Sequence, residues 1–423
     1  MTNGSGAGGD RRRVVITGMG VVTPLGSSVE ELWRRALEGA SGITELTAID
    51  PSAYPCRVAG QVHDFVPTDW MDHKTARRMA RFSQFAIAAG KQALDDAALD
   101  LDSIDRERAG TVLGTGGGGV PETDRAVRTM LERGGMKIDP LYMPKMLPNM
   151  AAGNLTIQLG LLGYTNTVTT ACAAGTQAIG DAAEVIRRDV ADVMLAGGTE
   201  GGISELGLAG FCAMRALTTS YNDRPAESSR PFDSGRDGFA PSEGAGVLVL
   251  EALEHAQARG AQPLAEVLGY GVSADAAHLV APSEGGEGAA RAMRLALRSA
   301  GVEPEEIDYI SAHATATEAG DVAETKAIRA VFGEQAYRVP VSAFKSQIGH
   351  MLGAAGGVET VVGVQTLRSG QITPTINLDD PDPECDLDYV PREARRVDVR
   401  TMLKNSFGFG GQNAVLVLRR FDE

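Results

Sequence analysis

The chain writes one rhythm twice. Apolar, β-branched runs alternate with Ala-rich stretches of helical length, first from Val14 and again from about residue 262. In the first half, Val14-Val-Ile-Thr-Gly, Thr111-Val-Leu-Gly, Asn166-Thr-Val-Thr, Asp192-Val-Met-Leu-Ala and Val247-Leu-Val-Leu read as strands. In the second, Leu264–Val272, Ile307–Ser311, Val339–Ser342 and a closing pair, Met402–Asn405 and Ala414–Arg419, do so. Helices are expected from Ser28, which has capping-box spacing to Glu31, to near Gly39, and over 82–99, 287–300, 321–332 and 350–368. Strands alternating with helices this long predict an α/β fold with largely parallel, buried strands. The repeated rhythm suggests an internal duplication, although identity between the halves is too low to establish one. The expected division is a Gly/Ser-rich disordered tail over 1–10, a first half over 11–261 and a second over 262–423.

A chain of 423 residues, 43% of them hydrophobic, has ample material for two domain-sized units. Its four cysteines are scattered, with no C-x-x-C pair. That argues against a disulfide framework or a zinc site and for a reducing compartment. No early apolar run resembles a signal peptide, and none approaches the roughly 20 residues of a membrane span. A soluble, cytoplasmic protein is expected. The net charge of −15 makes general nucleic-acid binding unfavourable. Lys74, Arg77, Arg78 and Arg81 fall at i, i+3, i+4 and i+7, which would put them on one helix face. That face reads equally as a dock for an acidic partner or as ordinary solvated surface.

Cys172 stands where a β-branched run gives way to an Ala-rich helix. Backbone N–H groups and the helix dipole there would favour a thiolate, the reactive form. Alone, it reads as readily as a small buried core residue. Three later segments change the odds. His313 follows an apolar strand, where open α/β sheets place ligands. Lys345 follows another strand, and His350 is expected at the start of a helix, which would keep its imidazole neutral. The glycines of Asn405-Ser-Phe-Gly-Phe-Gly-Gly-Gln-Asn413 allow a backbone excursion with N–H groups free for an oxyanion. Each has a bland reading: a structural histidine, a surface charge, a hairpin loop. Together they suit acyl transfer to sulfur followed by carbanion attack on the thioester. An enolate made by decarboxylation needs hydrogen-bond donors, which two neutral imidazoles provide.

These segments resemble the elongating β-ketoacyl-(acyl carrier protein) synthases of fatty acid synthase II and type II polyketide systems. The resemblance covers residues 11–420. It rests on Thr170-Ala-Cys-Ala-Ala-Gly, the His-x-Thr-x-Thr of 313–317 with Gly320-Asp321, Lys-Ser-x-x-Gly-His at 345–350, Gly353-Ala-Ala-Gly and Asn405-Ser-Phe-Gly-Phe-Gly-Gly. It implies a thiolase fold, two duplicated α/β halves in a five-layered αβαβα arrangement, usually as a homodimer. By the same resemblance Cys172 is the acyl acceptor, His313 and His350 support decarboxylation and condensation, and Lys345 orients and supports the first histidine. The N–H groups of Cys172 and Phe409 form an oxyanion hole, with Phe409 as gate and Phe407 beside it. Thr315 and Thr317 hold the phosphopantetheine arm, and Glu359 is a buried structural carboxylate. Gly117 and Phe211 line the acyl pocket. Lys74, Arg77, Arg78 and Arg215 make the docking face for acyl carrier protein. No metal or redox cofactor is implied, because the phosphopantetheine arrives on the partner.

Departures from the family pattern are informative. Ala314 and Ala316 stand where glycine or serine is usual, and their methyls reshape the pantetheine loop. Gly117 stands where the fatty acid enzyme has a bulky aliphatic, which deepens the pocket. A thiolase would need a second cysteine near Asn405-Ser-Phe, and the initiating synthases use Cys-His-Asn. A chain-length factor, the non-catalytic partner of some synthases, lacks the nucleophile; a catalytic subunit that needs such a partner remains an alternative. The G-x-G-x-x-G at Gly114, Gly116 and Gly119 lies far from the first strand and lacks the ribose-binding acid of a dinucleotide site.

Overall fold

The computed structural model describes residues 11–422; the expected tail, 1–10, lies outside them. Ten strands carry the fold: β1 (Val14–Val22), β2 (Ala109–Gly114), β3 (Thr165–Val168), β4 (Val193–Glu200), β5 (Gly244–Ala252), β6 (Ala265–Ala274), β7 (Tyr309–Ser311), β8 (Val341–Ser342), β9 (Thr401–Gly408) and β10 (Gln412–Arg420). They pair in the order β8-β7-β9-β10-β6-β1-β5-β4-β2-β3. Within each half the strands therefore run third, second, fourth, fifth, first. Pairing sense repeats too. β2 is parallel to β3 and β4, as β7 is to β8 and β9, while the fourth, fifth and first strands pair antiparallel in both halves. The duplication that residue identity could not establish is explicit in the topology. The halves join where Val15 and Ile16 of β1 pair antiparallel with Glu266 and Ala265 of β6.

The expectation of largely parallel strands is corrected here. Only half of the pairings inside each half are parallel. β9 and β10 are linked by Phe409, Gly410 and Gly411 alone, and a turn that short can only join antiparallel strands. The glycines supply the left-handed conformation it needs (φ +82° and +69°).

Five helices complete the layers: α1 (Arg81–Asp96), α2 (Ala174–Arg187), α3 (Glu287–Ala300), α4 (Glu318–Phe332) and α5 (Ala355–Ser369). α1 covers the outer face of the first half against β1 and β5, burying Phe82, Phe85, Ile87 and Leu94. Its approach is close because β1 carries Gly18 and Gly20; a Cβ on Gly20 would stand 2.1 Å from the Ala89 carbonyl oxygen. α2 and α5 pack on each other and touch strands of both halves, so they form the central layer. α3 covers β6 and β10 on the far side, with α4 beside it. The result is αβαβα, with one apolar core around the central helices and one beneath each outer layer.

Local expectations mostly hold. The Ser28 hydroxyl accepts the Glu31 N–H and opens the helix Val29–Leu37. The basic segment differs. Its helix is one turn, His73–Ala76, and the chain breaks before α1 starts at Arg81. Lys74, Arg77 and Arg78 are exposed, but Arg81 turns inward to the buried Glu243 carboxylate (2.7 Å) and packs over the Phe85 ring. The four cations do not share a helix face.

Candidate active site

The ends of β2, β3, β4 and β7 and the tip of the β9–β10 hairpin converge on one cavity of about 470 Å³, with His350 also in its wall. Cys172 enters it from a tight turn, Ala171–Ala173, between β3 and α2. Ala171 there has φ +48°, a strained value for alanine that bends the chain sharply before the thiol. Gly408 packs against that turn. A Cβ on it would sit 2.5 Å from the Thr170 carbonyl oxygen and 3.2 Å from the Cys172 nitrogen, so only glycine lets the hairpin close down. The N–H groups of Phe409 and of Cys172 itself consequently point at the Cys172 sulfur.

Burial works against the thiolate expected at this junction. Cys172 is 6% exposed, and burial pushes its thiol up to about 12. The nearby Lys345 charge and the two N–H groups pull the other way without prevailing. Desolvation of the anion outweighs the junction's dipole.

His313 follows β7 and is buried, as is His350. Their rings stand edge to face, centroids 5.5 Å apart. Phe407 packs on His313 and Phe239 on His350. Nδ1 of His313 and both ring nitrogens of His350 have no hydrogen-bond partner among the described residues, though the cavity walls hold both residues. Both imidazoles are held well below the ordinary histidine value, by burial first and then by the charge of Lys345. His350 is neutral as expected, but for a different reason. It precedes α5 by several residues, in a bridge to Pro241, so burial does what a helix N-terminus was expected to do.

Lys345 opens the short helix Lys345–Ile348 and is fully buried. Its ammonium donates to Glu359 on α5 and makes no hydrogen bond to His313. Its influence on the histidine is therefore electrostatic. Thr315 and Thr317 line the cavity with hydroxyl oxygens 3.1 Å apart. Ala314 and Ala316 adopt φ +25° and +66°, the region that favours glycine, so the loop keeps a glycine-like path at a cost in strain. Gly117 and Phe211 line the same cavity, and Phe211 tilts against Phe409 with centroids 6.5 Å apart. Arg215 lies exposed at its edge, while Lys74, Arg77 and Arg78 are not among the lining residues.

Four buried charged groups near the site were given no role by the sequence reading, although Asp321 belongs to one of its motifs. Glu324 on α4 accepts the backbone N–H groups of His313 (2.8 Å) and Ala314 (2.7 Å) and the Asn405 amide (3.0 Å). Asp321, one turn earlier, accepts from Phe232 and Ala316. Both face the core with Ala323 and Ala327, and acids in an apolar helical stripe were the available signal. Glu200 lines the cavity, accepts the N–H groups of Gly116 (2.7 Å), Gly117 (3.1 Å) and Gly353 (3.2 Å), and is raised by burial to about 7. Lys404, inside the buried part of β9, pairs with Glu359 at 2.6 Å.

Fold and cavity together define a condensing enzyme of the thiolase fold. The profiles for the beta-ketoacyl synthase N-terminal and C-terminal domains match residues 11–256 and 264–379, and the chain belongs to that family. It is 46% identical over 411 residues, 97% of this chain and 99% of the relative, to 3-oxoacyl-[acyl-carrier-protein] synthase 2 of Staphylococcus aureus. Among solved structures, the ishigamide ketosynthase/chain length factor superposes with a TM-score of 0.92 at 39% identity, covering 97% of this chain and 100% of that one. A ketosynthase bound to the hexaketide, in complex with its type II polyketide acyl-carrier protein (AntDE:AntF), superposes with a TM-score of 0.88 at 33% identity and the same coverage.

Proposed function

We propose that the chain catalyses decarboxylating Claisen condensation of an acyl chain with malonyl-acyl carrier protein, giving 3-oxoacyl-acyl carrier protein. The observation that carries this is a buried thiol under two N–H groups, sharing one cavity with two neutral imidazoles whose ring nitrogens lack partners. In the first half-reaction the Cys172 sulfur bonds to the acyl carbonyl, the bond to the pantetheine sulfur breaks, and the thiol proton ends on the released pantetheine. The N–H groups of Cys172 and Phe409 stabilise the tetrahedral oxyanion. In the second, the malonyl carbon–carboxylate bond breaks and CO2 leaves. The electron pair forms an enolate whose oxygen takes hydrogen bonds from His313 and His350. Its carbon then attacks the Cys172 thioester, and the sulfur departs and recovers a proton.

Thr315 and Thr317 sit where hydroxyls would hold the pantetheine arm. Phe409 gates the cavity, and Gly117 and Phe211 shape the acyl end. Exposed Lys74, Arg77, Arg78 and Arg215 offer cations to an acidic carrier protein. The carrier supplies the phosphopantetheine as part of the substrate, in the cytoplasm on this reading. The chain acts as a homodimer, with the N-terminal half to about residue 261 giving the nucleophile and the C-terminal half the histidines. A second reading, the catalytic subunit of a pair with a chain-length factor, is favoured by the likeness to the ishigamide ketosynthase/chain length factor.

Intact mass after incubation with acyl-acyl carrier protein tests the first half-reaction. An acyl-sized gain on the unaltered protein and none on Cys172→Ala is expected. No gain on either overturns the reading for the protein acting alone; a gain restored only by an added chain-length factor selects the second.

A further inference from the structure

Lys404 is fully buried in β9 and is not among the residues that line the cavity. Its ammonium meets one oxygen of Glu359 at 2.6 Å and donates to the Ser406 hydroxyl (3.0 Å) and the Asn405 carbonyl. The other Glu359 oxygen takes the ammonium of Lys345. One buried carboxylate thus serves two ammonium groups. A lone Lys345–Glu359 pair would be neutral and would give the histidines little field. The second lysine adds a positive charge to that pair. Ser406 also shares a 2.7 Å hydrogen bond with Thr176 on α2, tying the cluster to the helix that follows Cys172.

We propose that Lys404 is a positioning residue for condensation: by neutralising Glu359 from its second side, it leaves the Lys345 charge free to act on His313 and His350. The inference rests on the roles given to those histidines above. The charge disfavours imidazolium, which would repel Lys345, and favours the negative charge that develops on the enolate. Burial is the largest cause holding both imidazoles down, and Lys404 adds to Lys345 in each case. Lys404 is itself lowered, by burial first, with Glu359 opposing. The other ionisable groups around the cluster are Glu324 on α4, Tyr309 on β7, and Cys172 and Glu200 across the cavity. Glu324 is held on α4 by the His313 N–H and acts on Lys404 as a second, more distant negative charge, without the direct ion pair that Glu359 makes.

The test compares unaltered protein, Lys404→Met and Lys404→Arg in two assays between about pH 5.5 and 9: acyl loading of Cys172 by intact mass, and CO2 release from malonyl-acyl carrier protein. Lys404→Met should lose about tenfold or more of CO2 release and less than about threefold of loading. The acid limb of CO2 release should move up by about half a pH unit or more, and Lys404→Arg should return it. Equal losses in both assays with an unmoved limb would mean a merely structural lysine and overturn the proposal. Should Lys404→Met fail to fold, Lys404→Gln takes its place in the same two assays, and equal losses in both with an unmoved limb again overturn the proposal. Full CO2 release by His313→Ala would instead show that the reading of the histidines is wrong.

Discussion

His313 and His350 cross at 85° with ring centroids 5.5 Å apart, and each leaves a buried ring nitrogen without a partner. A buried polar atom left unpaired costs roughly 1–3 kcal/mol, and such atoms in a cavity wall are ready for a ligand. A substrate oxygen placed between the rings could accept from both at once. Replacing either histidine by alanine should therefore lower CO2 release from malonyl-acyl carrier protein by about 10²–10³, the cost of one oxyanion donor. Cys172 loading should fall much less. A parallel loss in both half-reactions would assign the histidines to folding or to acyl transfer.

The same burial makes stability depend on pH. Both imidazoles are lowered in the fold, so the unfolded chain takes up protons first as the solution is acidified. Their contribution is fully present above the unfolded value of about 6.5 and is lost progressively as the pH drops below it. Urea midpoints should be level across pH 7–8 on this account and fall below about 6.5, with a smaller fall in His350→Phe. An unchanged fall in that variant would assign acid sensitivity to other groups.

Cys172, held at about 12 by burial, should behave unlike a reactive-site thiolate. Its alkylation rate by iodoacetamide should rise about tenfold per pH unit through pH 9, with no plateau near the free-cysteine value of about 8.5. A plateau at or below pH 8 would show that the thiolate is already formed in the resting protein. That outcome would favour direct attack over proton transfer during acylation.

How far the sequence led is visible in the differences between residues. Cys172, His313, Lys345 and Phe409 follow strand ends or fill a glycine hairpin, and linear context locates such positions. The order of strands is not in the linear pattern, because an antiparallel fifth strand and a parallel second strand look alike when both are buried. Arg81 shows the limit for charge. Its spacing matched Lys74 and Arg78, yet it belongs to a different helix and serves Glu243 inside. The partners of Glu324 and Lys404 were illegible for a related reason: they lie on other elements, 11 residues away for Glu324 to His313 and further for Lys404 to Glu359. Likewise, no linear pattern reports the desolvation that raises Cys172.

Gly117 lines the cavity and, on the proposed reading, its acyl end. A Cβ there would stand 3.4 Å from the Glu200 carboxylate and 3.5 Å from Val120, which is ordinary contact. A methyl therefore fits, whereas the branched side chain of isoleucine must project into the cavity. Gly117→Ile should shorten the preferred acyl chain, read as loading of Cys172 across a chain-length series, while short chains still load. An unchanged profile would place the chain's path elsewhere.

The exposed cations can be separated by substitution from Arg81, which is paired to a buried carboxylate. Arg77 and Arg78 lie on the surface without an ion pair among the described residues. Charge reversal at both should leave the urea midpoint within about 0.5 kcal/mol, as is usual for surface changes. It should raise the KM for carrier-bound substrates severalfold at low salt, and the difference should shrink as salt screens the field. Arg81→Glu should do the opposite. It leaves Glu243 buried beside a like charge and removes the donor to the Val62 carbonyl, so it should cost about 3–5 kcal/mol of stability. If Arg77 and Arg78 reversals leave the KM for carrier substrates untouched at low salt, the carrier protein docks on another face, with Arg215 at the cavity edge the next residue to reverse.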